Sequence, residues 1–528
     1  MASEVIDVLE KRWASACRVL FREELGPLAD YADWLKQDTD PILTSKSSIS
    51  GKEVSYAIPY YAKNSKWAAF DELDFGKKFA PLNINEIKDL DSLVSAVSER
   101  CFYAGNVVLG NSGFVEKSSN ITDSFYMHET GTLTDSKYIA YSTLGRLNQD
   151  CFGCNGIGES IFCMKCYETF KDKRCLELWM GQSCSDCFYS HNLNGCQECF
   201  FSFNLKNARH AIGNLELPRD KYTSIKENLL SQIADELKKK KRIDSLVKIA
   251  EKSRPEKPPS FASLKAPVPA RQDKTPIQSA FSKTISLLLD LKKAPEIDGC
   301  ADWLQRYTRA QEKCVSAASG QPVFRRDYSC YFLLPKDRLL TASEAQELGP
   351  GLKLTESEAG KLSISGAPGT IGKIAFFTPE YFDGTNLNLI ECSTSSDSMN
   401  CYRASPVVYS KYCAYSFWPR SSEYAFGCES VMSCDFCVNC YYSAKLSRCF
   451  EMDSCRDCSD CCFCHNCENL SNCMFCFNAK SLRYAVGNVE MGRTEYMKFR
   501  HRIMESAGRE FEKSSGLKWS IFTIGSGK

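Results

Sequence analysis

Cysteine recurs every twelve residues in this chain, in two separate tracts. Cys151, Cys163, Cys175, Cys187 and Cys199 stand twelve apart, with further cysteines between them at multiples of three. The second tract keeps the same grid at Cys401, Cys413, Cys437, Cys449, Cys461 and Cys473, with Ala425 in the vacant place and Leu389 ahead; the first opens with Met127 and Ile139. Every third residue from 425 to 476 is Ala, Cys, Val, Ser, Leu or Met, without a charge. From 151 to 202 the same reading gives Cys, Ile, Ser, Thr, Leu, Gly and one exception, Asp172.

Small uncharged residues at a fixed period predict an inward-facing column, and cysteine behaves as a small apolar residue when buried. The intervening Arg456-Asp457, Ser459-Asp460, His465-Asn466 and Ser471-Asn472 are turn formers and charges expected to face water. Four inward positions per twelve residues predict a narrow four-sided β-solenoid. Its rungs would stack about 4.8 Å apart, so seven or eight of them make a rod on the order of 35 Å long, stabilised by its neighbours as in other repeat proteins. A period of three also suits 3₁₀ or polyproline helices, but neither persists this long with so little proline. Irregular metal-stapled loops are the remaining alternative.

The tracts are copies of one another at an ungapped offset of 274. Ser136-Lys-Tyr-Ile-Ala-Tyr-Ser returns as Ser410-Lys-Tyr-Cys-Ala-Tyr-Ser, Phe152-Gly-Cys as Phe426-Gly-Cys, and Arg209-His-Ala-Ile-Gly-Asn as Arg483-Tyr-Ala-Val-Gly-Asn. Ala32-Asp-Trp-Leu is echoed by Ala301-Asp-Trp-Leu, so the duplication is expected to extend upstream, each half deriving from one ancestral unit.

A chain of 528 residues exceeds a single core. The expected organisation is mainly β with α caps: an N-terminal helix and mixed α/β segment over 1–110, a first cysteine-rich solenoid with its cap helix over 111–237, and a basic, proline-rich linker over 238–275. A helix and mixed segment then fill 276–375, a second solenoid with cap helix 376–510, and a tail 511–528. Solenoid ends need covering. Leu229, Leu230, Ile233 and Leu237 recur at helical spacing after the first tract, the segment from Arg493 follows the second, and another helix is predicted over Ile277–Lys293.

Sixty-six basic residues against 65 acidic give a net charge of +1, so no global field favours nucleic acid or membrane. The run Lys238–Arg242 could bind RNA or another polyanion, although such runs are more often solvated helix ends. The opening Met1-Ala-Ser-Glu-Val-Ile-Asp lacks the pattern of a secretion signal, and no stretch approaches the roughly 18 apolar residues of a membrane span. We therefore expect a cytoplasmic protein whose 30 cysteines stay reduced.

By residue type, Cys458, Cys461, Cys464 and Cys467, followed by Cys473 and Cys476, are candidate ligands for zinc, copper or an iron-sulfur cluster. Zinc knuckles stand roughly 15 to 20 residues apart, whereas these cysteines continue without a break, and Leu446, Met452 and Leu470 fill equivalent slots. Packing without a cofactor is the preferred reading. Disulfides between rungs fit the permitted Cα separation of about 4.4 to 6.8 Å but not the compartment. Cys462 falls off the grid and is expected to face outward, as a reactive thiol or an inert surface one.

No P-loop, GxSxG, HExxH or complete GxGxxG is present, and His128, His191, His210, His465 and His501 are scattered. No catalytic residue is assigned. The expectation is a non-enzymatic scaffold or macromolecule-binding protein with a protein partner or a second copy of itself. A metal-handling or redox protein and an RNA-associated protein are the alternatives.

At Cys473-Met-Phe-Cys-Phe-Asn-Ala-Lys-Ser-Leu-Arg-Tyr-Ala-Val-Gly-Asn, followed by Glu495-Tyr496, the chain resembles cysteine-dense uncharacterised proteins of uncultured bacterial lineages. Their tracts close with a Leu-Arg-Asn-Lys-x-Tyr-Cys-Ile-x-Asn stretch and a Glu-Glu-Tyr helix start. Tyr484, Asn488, Glu495 and Tyr496 match that motif, as do Asn214 and Tyr222 in the first copy, over about 100 residues of each half. The resemblance implies no activity. Members of that group often carry a zinc-ribbon-like segment ahead of the tract, which is not found here and weakens the metal reading.

Overall fold

The computed structural model describes residues 3–526 except 259–260, 262–263, 265–271, 292 and 329–330. Parallel pairing joins residues twelve apart in both tracts: Ile139 with Cys151, Cys163 with Cys175 and Cys187 with Cys199, then Leu389 with Cys401, Ala425 with Cys437 and Cys473 with Ala485. The chain can return beside itself so quickly because every third residue is left-handed, without a break from Phe114 to His210 and from Tyr409 to Tyr484. Asn and Asp tolerate that conformation. Tyr126, Phe162 and Trp418 adopt it too, at a cost of about 1–2 kcal/mol each that pairing to the neighbouring strands must offset. The fold is mixed, with two large parallel-stranded sheets and helices on their flanks.

The inward columns differ in chemistry. Two of the four in the first tract are largely apolar, for example Met127, Ile139, Cys151 and Cys163, all buried. The other two supply hydrogen-bond acceptors to backbone N–H groups twelve residues later. The amides of Ser124, Ser136, Asn148, Ser160, Asp172 and Cys184 donate in turn to the side chains of Ser112, Ser124, Ser136, Asn148, Ser160 and Asp172, over 2.6 to 3.2 Å. Asp172, the one charged type in its column, is therefore a rung of this ladder, and burial raises its carboxyl well above the usual carboxylate range.

Helix α1 (Glu4–Phe21), capped by the Ser3 hydroxyl, buries Leu9, Trp13, Cys17 and Leu20 along the first tract, with Trp13 edge-on to Phe152. Helix α2 (Arg219–Lys240) buries Tyr222, Leu229, Ile233 and Leu237 against α1 and the closing strand. The expected linker does not begin at 238, because α2 runs on to Lys240 and a further helix α3 (Leu246–Lys252) sinks Leu246, Val247, Ile249 and Ala250 into the same core. Their apolar side chains outweigh the surrounding charge. Most of 259–271 lies outside the described residues. The second tract has the matching pair, α4 (Thr275–Leu289) and α5 (Arg493–Ser514), packed on each other.

Elements recur in the same order in both halves. Ala32–Lys36 and Ala301–Leu304 are short helices, each followed by a hairpin, Leu43–Lys46 with Glu53–Tyr56 and Gln311–Val315 with Pro322–Arg326. The segment leading from hairpin to tract then crosses to the other half. Val54, Trp67 and Tyr103 pack with Phe450, Phe463 and Phe475 of the second tract, and Leu339, Phe376 and Phe377 with Phe188, Phe200 and Phe203 of the first. Each flank core is thus built from both halves, while each tract keeps its own inner cluster.

Candidate functional site: the thiol columns and the seam between the halves

The described cysteines are all buried and unbridged. A column thiol donates to the carbonyl two residues before it, and in many cases also contacts the carbonyl nine residues ahead. Cys151 reaches Gln149 O at 3.3 Å and Ser160 O at 3.6 Å, and Cys187 reaches Ser185 O at 3.4 Å and Cys196 O at 3.7 Å. The bond to the carbonyl two back recurs at Cys163, Cys175, Cys199, Cys401, Cys413, Cys437 and Cys449. A protonated thiol so placed satisfies carbonyls that point into the column.

The six candidate metal ligands follow the same rule. Cys458 donates to Arg456 O at 3.2 Å, Cys461 to Ser459 O at 3.1 Å, Cys464 to Cys462 O at 3.4 Å and Cys467 to His465 O at 3.2 Å. Cys473 and Cys476 donate to Ser471 O and Met474 O, both at 3.5 Å. Burial pushes the Cys467 thiol up to about 11 and raises Cys461 and Cys464 as well. Cys473 is lowered by the thiols of Cys461 and Cys476 that lie beside it. Among the described residues no three His, Cys, Asp or Glu side chains converge as a metal site. The first-tract counterparts of Cys458, Cys461, Cys464 and Cys467 are Cys184, Cys187, Ser190 and Leu193, and a leucine cannot ligate.

Cys462 does not face water. It points away from its column but into the second flank core, 6% exposed beside Phe463, and burial raises its thiol. The grid separates inside from outside of the tract; it does not reveal that a helix covers the outside.

One outward column of each tract is buried, Asn155, Tyr167, Trp179, His191 and Phe203 in the first and Glu429, Tyr441, Asp453, His465 and Phe477 in the second; His191 and Phe203, and Glu429, Asp453, His465 and Phe477, meet the opposite half. His465 Nε2 accepts the Ala104 amide at 2.9 Å, and His191 Nε2 accepts the Thr378 amide at 3.0 Å. An amide can only donate, so Nε2 is the bare nitrogen in both rings. At Nδ1 the copies part. His465 Nδ1 donates to Asp453 Oδ2 at 2.7 Å, and Tyr61 donates to the same oxygen at 2.7 Å. Trp179 stands where Asp453 would be, and desolvation pushes His191 down to about 3. The two histidines lie at the tract offset of 274, which was the available signal that they are not scattered.

Glu429 accepts the Tyr60 hydroxyl at 3.0 Å, the Tyr442 hydroxyl at 2.9 Å and the Arg309 amide at 2.9 Å. Arg309 extends its guanidinium fork to Asp40 at 2.8 and 3.3 Å. Burial raises Glu429 while Arg309 opposes the shift. Two further buried carboxyls at corresponding places, Glu177 and Glu451, are raised to about 7 by desolvation; they accept the backbone amides of Leu246 at 3.0 Å and Ile521 at 2.8 Å. Cavities beside Tyr61 and His465, and beside Asp40 and Arg309, each measure about 10 Å³, room for one water.

Of the basic run, Lys238 pairs with Glu23, Lys240 with Glu236 at 2.9 Å and Lys241 with Asp30 at 3.1 Å. Among the described residues no helix is long and apolar enough to cross a membrane. Compared with protein family models, with curated proteins and with solved structures, the chain matches none.

Proposed function

We propose that this chain is a non-enzymatic scaffold or macromolecule-binding protein built from two β-solenoids of twelve-residue period, in which cysteine is a structural residue. One observation carries this reading: the column thiols, including five of the six metal candidates, are engaged as donors with backbone carbonyls of their own tract, Cys473 being the one that its neighbours lower. A thiol that donates this way is protonated, whereas a metal ligand must be a thiolate. The chain would then need a reducing compartment, in keeping with a cytoplasmic location.

The outer faces suit a display role. Charged residues pair across neighbouring rungs, as Arg174 does with Asp186 at 2.6 Å and Arg448 with Asp460 at 2.7 Å, and Phe114, Tyr126 and Tyr138 stack in a row with ring centroids 4.6 and 5.4 Å apart. Such regular rows hold their side chains at fixed spacing for a protein partner. The test is metal content by mass spectrometry on protein purified without chelators or oxidants. Near-zero zinc, copper and iron is the expected result; a stoichiometric metal would replace the scaffold reading with the metal-handling one.

A further inference from the structure

Asp40 and Arg309 occupy the same position in the two halves, each eight residues beyond the alanine of an Ala-Asp-Trp-Leu segment at Ala32 or Ala301. They also touch each other, fork to carboxylate, at 2.8 and 3.3 Å. A residue that meets its own counterpart lies on the axis relating two copies. The other contacts exchange about this point. Ala104 donates to His465 at 2.9 Å while Thr378 donates to His191 at 3.0 Å. Asn478 Nδ2 donates to Phe102 O at 2.8 Å while Asn204 Nδ2 donates to Phe376 O at 2.9 Å. Each of these pairs is related by 274 residues on both of its members. Reciprocity of this kind, in which i meets j and j meets i, is the signature of an isologous dimer interface.

We propose that the seam is a subunit interface enclosed within one chain: each half docks the other as it would a second copy of its own fold, and Asp40 with Arg309 selects the unlike pair. In a pairing of like halves the axis would bring Asp40 against Asp40, or Arg309 against Arg309. Both side chains are largely covered, at 22% and 15% exposure, so the repulsion would be weakly screened. An identical pair cannot place opposite charges at matched positions on its own axis; two fused copies, free to diverge, can. The same freedom accounts for Trp179 in the place that Asp453 takes in the other copy, and Asn155 in the place of Glu429.

The test uses the folded full-length chain with a protease site inserted between residues 258 and 272, cleaved after folding. The two fragments should stay together as one 1:1 complex with the mass of the uncut chain. Fragments that separate as folded monomers, or that redistribute into like pairs, would overturn the proposal. In the same cleaved background, Asp40→Arg should weaken the complex at least tenfold more than Asp40→Ser, since only the first sets like charges across the axis. Equal effects of the two variants would show that no charge selection operates there.

Discussion

At the offset of 274, Ser160, Ser190 and Ser202 of the first tract correspond to Cys434, Cys464 and Cys476 of the second, while Gly181 and Leu193 correspond to Cys455 and Cys467. The serines and cysteines make the same bond. Ser160 donates to Gly158 O at 2.9 Å and Cys434 to Met432 O at 3.3 Å; Ser190 donates to Phe188 O at 2.9 Å and Cys464 to Cys462 O at 3.4 Å. Where serine and cysteine exchange, the slot asks for a small side chain with one hydrogen to give; at Gly181 and Leu193 it asks only for an uncharged residue. Thiol chemistry is not what the position selects. Along the seam the copies differ more sharply, for His465 bonds Asp453, which also takes the Tyr61 hydroxyl, whereas Trp179 stands in that place beside His191.

The largest expected effect comes from removing the filler that only the first tract has. Trp179 is 1% exposed, so Trp179→Ala should cost about 3–5 kcal/mol, read from the midpoint of denaturant unfolding. Asp453→Ala removes far less volume but leaves the Tyr61 hydroxyl and His465 Nδ1–H without an acceptor, a cost of about 1–3 kcal/mol. If Asp453→Ala proves the costlier of the two, packing is not what distinguishes the first tract.

Acidity should act on both tracts alike. Glu177 and Glu451 are raised to about 7 in the folded protein, against about 4.3 in an unfolded chain, so the folded state binds their protons more tightly. Stability from this source is present at low pH and is lost as pH rises through 7. Unfolding midpoints should therefore fall between about pH 5 and 7 and level off above, by on the order of 1 kcal/mol per pH unit for each carboxyl, and Glu177→Gln with Glu451→Gln should flatten the profile. His191, lowered to about 3, works in the opposite sense: its contribution is lost as pH falls below about 6.5. A midpoint that climbs between pH 5 and 7 would contradict this assignment.

Exchanging the inward residues between copies should matter less. Cys434→Ser and Cys464→Ser install what the first tract already uses and should each cost under about 1 kcal/mol, the scale of one hydrogen bond's net worth. Arg174→Ala and Arg448→Ala, which break exposed cross-rung pairs, should be smallest, at about 0–1 kcal/mol each by unfolding midpoint.

Much of the tracts was legible in the sequence because their period is short and strict: the inward columns, the pairing of residues twelve apart and the oddity of Asp172 follow from reading every third residue, and the helices after Asn214 and Asn488 from apolar residues at helical spacing. The seam was not. It joins residues such as Tyr61 and Asp453, or Asp40 and Arg309, that are far apart in the chain and share no periodic pattern. Cys462 shows the same limit on a single residue, since leaving the column meant entering a flank core made by α5 and the crossing segment of the other half. The histidine pair was the recoverable part, because His191 and His465 already stood in register at the tract offset.

The most direct test of the central claim is the S–H stretching band in the Raman spectrum of the native protein. If the column thiols are protonated donors to carbonyls, the band should carry most of the intensity of the 30 cysteines and lie below the frequency of a free thiol, moving up on unfolding. A band missing most of its intensity in the native state would mean thiolates, metal bonds or disulfides, and would contradict the account of cysteine as a packing residue.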